Sequence, residues 1–77
     1  MERVLTVTAM DNYRLAIEFS TGEKRVFDMT PYLDRGVFVR LKAQAQFEMA
    51  FVAHGTVCWP DGLDIAPETL YDRSMNC

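Results

Sequence analysis

The sequence predicts an α+β domain: a small antiparallel β-sheet of about five short strands, with one or two short helices packed on one side. Three observations predict it. Apolar side chains alternate with polar ones over several short stretches, the pattern of half-buried strands. Turn chemistry separates those stretches closely, so sequential strands pair with each other. Helix-start chemistry occurs at only two short segments, near Thr30-Pro31 and Pro67-Glu68.

Val4 to Met10 is apolar or β-branched on both faces, with Leu5, Val7 and Ala9 against Val4, Thr6 and Thr8, and reads as a strand. Asp11-Asn12 is a turn signal. Tyr13, Leu15, Ile17 and Phe19 then alternate with Arg14, Ala16, Glu18 and Ser20, the cleanest strand in the chain. Ser20-Thr21-Gly22-Glu23 forms a hairpin loop, and Lys24 to Met29 the partner strand, with Arg25, Phe27 and Met29 on one side and Val26 and Asp28 on the other. Thr30 to Gly36 reads as a single helical turn capped by Thr30, with Gly36 at its exit. Val37 to Leu41 reads as extended or irregular, and Lys42 to Gln46 favours helix but is short. Phe47, Met49, Phe51 and Ala53 alternate with Glu48, Ala50 and Val52, which favours a strand, although Leu41 to Phe51 also reads as one helix. His54-Gly55 is a tight turn, Thr56 to Trp59 a strand with Val57 and Trp59 on one face, Pro60-Asp61-Gly62 a turn and Leu63 to Ile65 a short extended piece. Pro67 opens a terminal helix, with Glu68 near the positive end of its dipole.

The chain has 77 residues, and residues 1–77 read as a single domain without linker, repeat or low-complexity segment. A core this small leans on large aromatics, of which there are five Phe, three Tyr and one Trp, or on association, so a homodimer is a further expectation. Tyr13, Phe19, Phe27, Phe47 and Phe51 have strand-like spacing and are expected in the core. Cys58 and Cys77 form no disulfide framework; Cys58 reads as a small core hydrophobe and Cys77 as a fraying end, with a bridge between them the alternative. The start, Met1-Glu2-Arg3-Val4, is no signal peptide, and no run approaches bilayer-spanning length, so an intracellular, cytoplasmic and soluble protein is expected, with no membrane partner.

Acids number 11 and bases 8, for a formal charge of -3. That balance argues against the usual basic nucleic-acid binder, and Arg3, Arg14, Lys24, Arg25, Arg35, Arg40 and Lys42 are dispersed, each with acids nearby, so they trace no obvious phosphate track. The imbalance is local. Residues 1–60 hold seven acids and seven bases, whereas residues 61–77 hold Asp61, Asp64, Glu68 and Asp72 against Arg73 alone.

The stretch from Trp59-Pro60-Asp61-Gly62 through Leu63-Asp64-Ile65-Ala66 to Pro67-Glu68-Thr69-Leu70-Tyr71 resembles the closing signature of the bacterial "domain of unknown function 2442" family. Tyr13 to Phe19 with Gly22-Glu23, and Phe27-Asp28-Met29-Thr30-Pro31, match two further pieces of its pattern; Thr21 stands where the family more often has Asp, a difference confined to a turn. The resemblance covers nearly the whole chain. It implies a small α+β fold and no established activity. It also implies relatives that stand alone, that are encoded beside a second small protein in a toxin–antitoxin-like layout, or that precede a helix-turn-helix DNA-binding domain, a portion not expected here because the chain ends at Cys77. Small acidic proteins of this size also occur among phage-encoded inhibitors of bacterial defence, anti-CRISPR proteins included, an analogy of size and charge.

No catalytic residue, metal ligand set or cofactor is assigned. His54, Cys58 and Asp28 could form a nucleophile, base and orienting group, and His54, Cys58 and Cys77 a metal site, but neither set has a supporting signature or paired ligand spacing. His54 reads more simply as an exposed turn residue. Asp61, Asp64, Glu68 and Asp72 are the candidate partner-binding surface, an acidic patch that would steer a basic partner onto it, with Trp59 as a candidate anchor. The plainer reading takes them singly: Asp61 in a turn, Asp64 capping, Glu68 on the helix dipole, Asp72 solvated and Trp59 in the core. The expected function is a non-enzymatic, acidic protein-binding module, a small regulator or inhibitor. Its partner would be a co-encoded protein or nucleic-acid-handling machinery such as a CRISPR effector, without direct nucleic-acid contact. The alternatives are a DNA-binding regulator or its dimerisation half, and a small enzyme or metal protein using Cys58 and His54.

Overall fold

A computed structural model describes residues 2–76. Alternation in the first third builds a three-stranded meander from β1 (Val4–Met10), β2 (Arg14–Phe19) and β3 (Lys24–Asp28), antiparallel throughout. Leu15, Ile17 and Phe19 of β2 are buried, and Leu15 lies opposite Phe27 of β3, which is buried with it. β1 could not be read by alternation because it changes phase: Val4 pairs with Phe19 and Thr6 with Glu18, so Leu5 is the extra residue of a bulge. The bulge lets Val4 reach the core beside Phe19 while Val7 and Ala9 pack on the same side beside Ile17 and Leu15, and it leaves Leu5 exposed.

Between β1 and β2, Asn12 and Tyr13 both take the left-handed conformation, at φ of 62° and 59°. Asn tolerates that readily and Tyr does not. Tyr13 is held there from three sides. Its carbonyl accepts the Met29 N–H at 2.8 Å, its hydroxyl donates to the Lys42 carbonyl, and its ring meets Phe47 edge-on at 5.3 Å.

After β3 the Asp28 carboxylate, not Thr30, supplies the cap, accepting the Thr30 N–H at 2.9 Å. A 3-10 turn at Thr30–Tyr32 follows, then a second 3-10 stretch at Gly36–Lys42, where an extended or irregular segment was expected. The expectation for residues 47–53 needs correction. Phe47 is the last residue of a one-turn helix, α1 (Gln44–Phe47), and only β4 (Phe51–Ala53) is a strand. The Phe47 N–H donates to the Ala43 carbonyl at 3.0 Å, which curls the chain so that the ring is fully buried. Phe51 is likewise not a core residue, because it lies on the outer face of β4 and is 45% exposed.

β4, β5 (Thr56–Trp59) and β6 (Leu63–Ile65) pair only among themselves. The fold is thus α+β as predicted, but its strands divide between two antiparallel sheets instead of one of five. The first is ordered β1-β2-β3-β7, with β7 (Met75–Asn76) a two-residue addition beside β3, and the second β4-β5-β6. The helical stretch from Gly36 to Phe47 interrupts the chain between β3 and β4, which is why the later hairpins do not extend the first sheet. α2 (Pro67–Arg73) begins after Ala66 and buries Leu70. Both sheets feed one core, with Val57, Trp59, Leu63 and Ile65 from the second packed with Leu15, Ile17, Phe19 and Phe27 from the first. Cys58 is a buried free thiol, and the expectation for Cys77 lies outside the described residues.

Phe47→Ala is expected to cost about 3–5 kcal/mol, the range for emptying a buried aromatic site. Leu5→Ser, at the exposed bulge, should stay within about 0.5 kcal/mol of wild type. Urea unfolding followed by Trp59 fluorescence measures both.

Candidate partner-binding face

Side chains alternate across a strand, so the β4-β5-β6 register decides what its outer face carries. Phe51 pairs with Cys58 and Cys58 with Asp64, which sets an aromatic ring, a thiol and a carboxylate side by side in one row. The opposite face carries Val57 and Ile65 into the core. Two turns rise beside the row. One holds His54, exposed and left-handed at φ 55°; the other is Pro60–Gly62, where Asp61 and Gly62 stand at φ 72° and 81°. Together these elements enclose an open groove of about 360 Å³, with Phe51, Cys58, Asp61 and Asp64 among its lining residues.

Cys58 forms the groove floor. Its thiol donates to the Ala53 carbonyl at 3.6 Å, and burial, followed by the nearby Asp64 charge, pushes its pKa up. That keeps the sulfur protonated at neutral pH, the reverse of nucleophile activation. Asp28 lines other cavities, on the side of Arg14, Arg35 and Arg73, so His54, Cys58 and Asp28 are not brought together. The metal set that used Cys77 lies partly outside the described residues. Among the described residues, no group of three or more His, Cys, Asp or Glu could hold a metal ion.

The four acids are all exposed, and they divide into two pairs. Asp61 and Asp64 belong to the groove. Asp61 approaches Arg40 at 4.0 Å with both side chains well exposed, a contact that contributes little. Asp64 does not cap α2, whose N-cap is Ala66. Glu68 and Asp72 are one turn apart on α2 and share an exposed stripe there. Trp59 is a correction. It borders the groove but is only 1% exposed, and its indole N–H donates to the Phe47 carbonyl at 3.0 Å, so its side chain belongs to the core. Phe51 is the exposed aromatic of this face.

α2 is fastened to the first hairpin by a three-residue clamp. The Tyr71 hydroxyl donates to Glu23 Oε1 at 2.5 Å, Arg25 pairs with Glu23 Oε2 at 2.7 Å, and the Arg25 guanidinium lies over the Tyr71 ring at 4.2 Å. The Tyr71 hydrogen bond, then Arg25, holds the Glu23 carboxyl below its ordinary pKa. The same bond from Tyr71 to Glu23 raises the tyrosine's pKa.

Two basic residues that sequence reading left dispersed, Arg14 and Arg35, converge with Arg73, which it placed among the acids of the last 17 residues. Arg35 and Arg73 line a cavity with Asp28, and Arg14 and Arg73 line its neighbour, again with Asp28. Their positions in the chain give no hint of this. Only the one-turn spacing of Thr69 and Arg73 was legible beforehand.

Residues 4–76 match the family described as protein of unknown function (DUF2442). This chain belongs to the DUF2442 family. No curated protein and no solved structure matches it. The groove and the clamp both lie inside the DUF2442 span. Among the described residues, no helix is long and apolar enough to cross a membrane.

Glu23→Gln is expected to lower stability at neutral pH. A carboxyl whose folded pKa is depressed stabilises above its unfolded pKa and loses that contribution as pH falls through the folded value. The gap between wild type and Glu23→Gln should therefore close below about pH 4. Tyr71, with a raised pKa, contributes in the opposite sense, its share being lost above about pH 10. Thermal melts of both proteins across pH check the acid limb.

Proposed function

We propose that this DUF2442 chain is a non-enzymatic, cytoplasmic module that acts by binding another protein through the β4-β5-β6 face. The observation that carries this reading is the pairing of exposed Phe51 with the exposed carboxylates Asp61 and Asp64 around one groove. An aromatic side chain in a partly enclosed site is the kind of group that dominates interface energy, and charges at its rim set the encounter rate. Glu68 and Asp72 add to the acidity of the stretch that carries the chain's whole net charge. The protonated, hydrogen-bonded Cys58 thiol supports a binding role for the groove over a chemical one.

The partner is then a protein with a basic surface: a co-encoded small protein, or a nucleic-acid-handling machine, such as a CRISPR effector, whose phosphate-binding surface the carboxylates would occupy. Regulation or inhibition follows from occupying that surface.

The test starts with affinity capture from the source cell, followed by association kinetics with the captured protein. Neutralising Asp61, Asp64, Glu68 and Asp72 to their amides should slow association roughly 10-fold at low salt and flatten its salt dependence. Phe51→Ala should mainly speed dissociation, since interface truncations act chiefly on that rate. Unchanged kinetics in both variants would overturn the assignment of this face.

A further inference from the structure

A cavity of about 480 Å³ lies between the Thr30–Tyr32 turn and α2. It lies within the ordinary range for small-molecule sites, roughly 300–1,000 Å³. Its lining is Asp28, Pro31, Tyr32, Arg35, Thr69 and Arg73. Two guanidinium groups reach it from separate elements. Arg35 follows the 3-10 turn and lies over the Tyr32 ring at 5.2 Å, and that ring is itself stacked on buried Phe27 at 5.5 Å. Arg73 comes from the last turn of α2, with the Thr69 hydroxyl one turn before it on the same side. An adjoining cavity of about 400 Å³ shares Asp28 and Arg73 and adds Arg14.

No carboxylate is paired with these cations among the described residues. Among the described residues the ion pairs are Arg25–Glu23, Arg40–Asp61 and Lys42–Asp34, and none involves Arg14, Arg35 or Arg73. Neither Arg35 nor Arg73 donates a side-chain hydrogen bond within the described residues, and Arg14 makes only a 3.4 Å contact to the Asp11 carbonyl. Asp28 is the one acid present. It sits beyond ion-pair distance of all three, and one of its oxygens is taken by the Thr30 N–H. Three cations therefore face one partly engaged carboxylate, in a chain whose net charge is -3.

We propose that this cavity binds a small phosphate-bearing molecule. Guanidinium forks match the oxygens of phosphate and carboxylate alike. Two forks from different elements, with Thr69 in the same lining, suit a group bearing more than one negative charge, which a phosphate monoester is near neutral pH. The room beyond one phosphate is left for the organic part of the ligand. This site is independent of the acidic groove and stands or falls without it.

The experiment is an amide-resolved NMR titration of the full chain with inorganic phosphate, phenyl phosphate and acetate, each at constant ionic strength balanced with sodium chloride. Saturable shifts centred on Tyr32, Arg35, Thr69 and Arg73 are expected with both phosphates and not with acetate. Arg35→Gln and Arg73→Gln should each weaken the response roughly 10-fold or more, the loss of a charge-assisted hydrogen bond. Both side chains are exposed, so an otherwise unchanged spectrum will confirm that the variants fold. Absence of saturation with either phosphate, equal affinity in the variants, or acetate binding as tightly as phosphate would each overturn the proposal.

Discussion

The contact between Phe47 and Trp59 joins two sheets that share no strand pairing. Phe47 meets Tyr13 of the first meander edge-on and Trp59 of the second sheet at 6.3 Å, and its carbonyl accepts the indole N–H. Each sheet alone would leave its apolar face open to water, and the two bury those faces in one shared core. The one-turn helix that carries Phe47 is too short to persist by its own propensity. It forms because its last residue completes a core assembled from both sides. The same ring supports the left-handed Tyr13, so the strained connection between β1 and β2 depends on it too.

α2 divides the molecule's electrostatics. Leu70 fixes its inner face, and the Tyr71 clamp fixes its angle to the β2-β3 hairpin. What remains exposed sorts by one residue in register: Glu68 and Asp72 form one stripe, Thr69 and Arg73 the next. A chain with net negative charge thereby carries a cationic cavity and an acidic surface on adjacent stripes of a single short helix. Counting charge by segment placed the excess acids in residues 61–77 but could not show how the helix sorts them from Arg73.

The parts legible in the sequence are those where local pattern and tertiary burial agree. Leu15, Ile17 and Phe19 alternate because one side of β2 is core and the other is water, and the Pro60-Asp61-Gly62 turn needs the left-handed backbone that Asp and Gly tolerate. The misreadings have specific causes. Phe47, Met49 and Phe51 have strand spacing by coincidence, since one ends a helix and another begins a strand, and short apolar runs do not distinguish the two. Leu5 conceals a bulge because β1 is apolar on both faces. At the candidate face, the exposure of the four carboxylates was legible because charge is visible in sequence, although their division into two pairs was not. Of the two readings given to Trp59, interface anchor and core residue, the second holds: a large ring in a small core is consumed by packing. The convergence of Arg14, Arg35 and Arg73 is purely tertiary and left no local trace.

The bulge at Leu5 has a consequence for how this molecule meets others. A long, flat strand edge invites another chain to add a strand, and proteins blunt such edges with bulges, covers or brevity. Among the described residues, β1 is the one long edge. Its ladder is broken at Leu5, and its start is occupied by the β4-β5 turn, where Val4 N–H donates to the Gly55 carbonyl at 2.9 Å. The remaining edges, β4, β6 and β7, run only two or three residues each. The continuous edge left for a further strand is therefore cut back to Thr6–Met10, and a change that removed the bulge would lengthen it by realigning Val4 and Leu5.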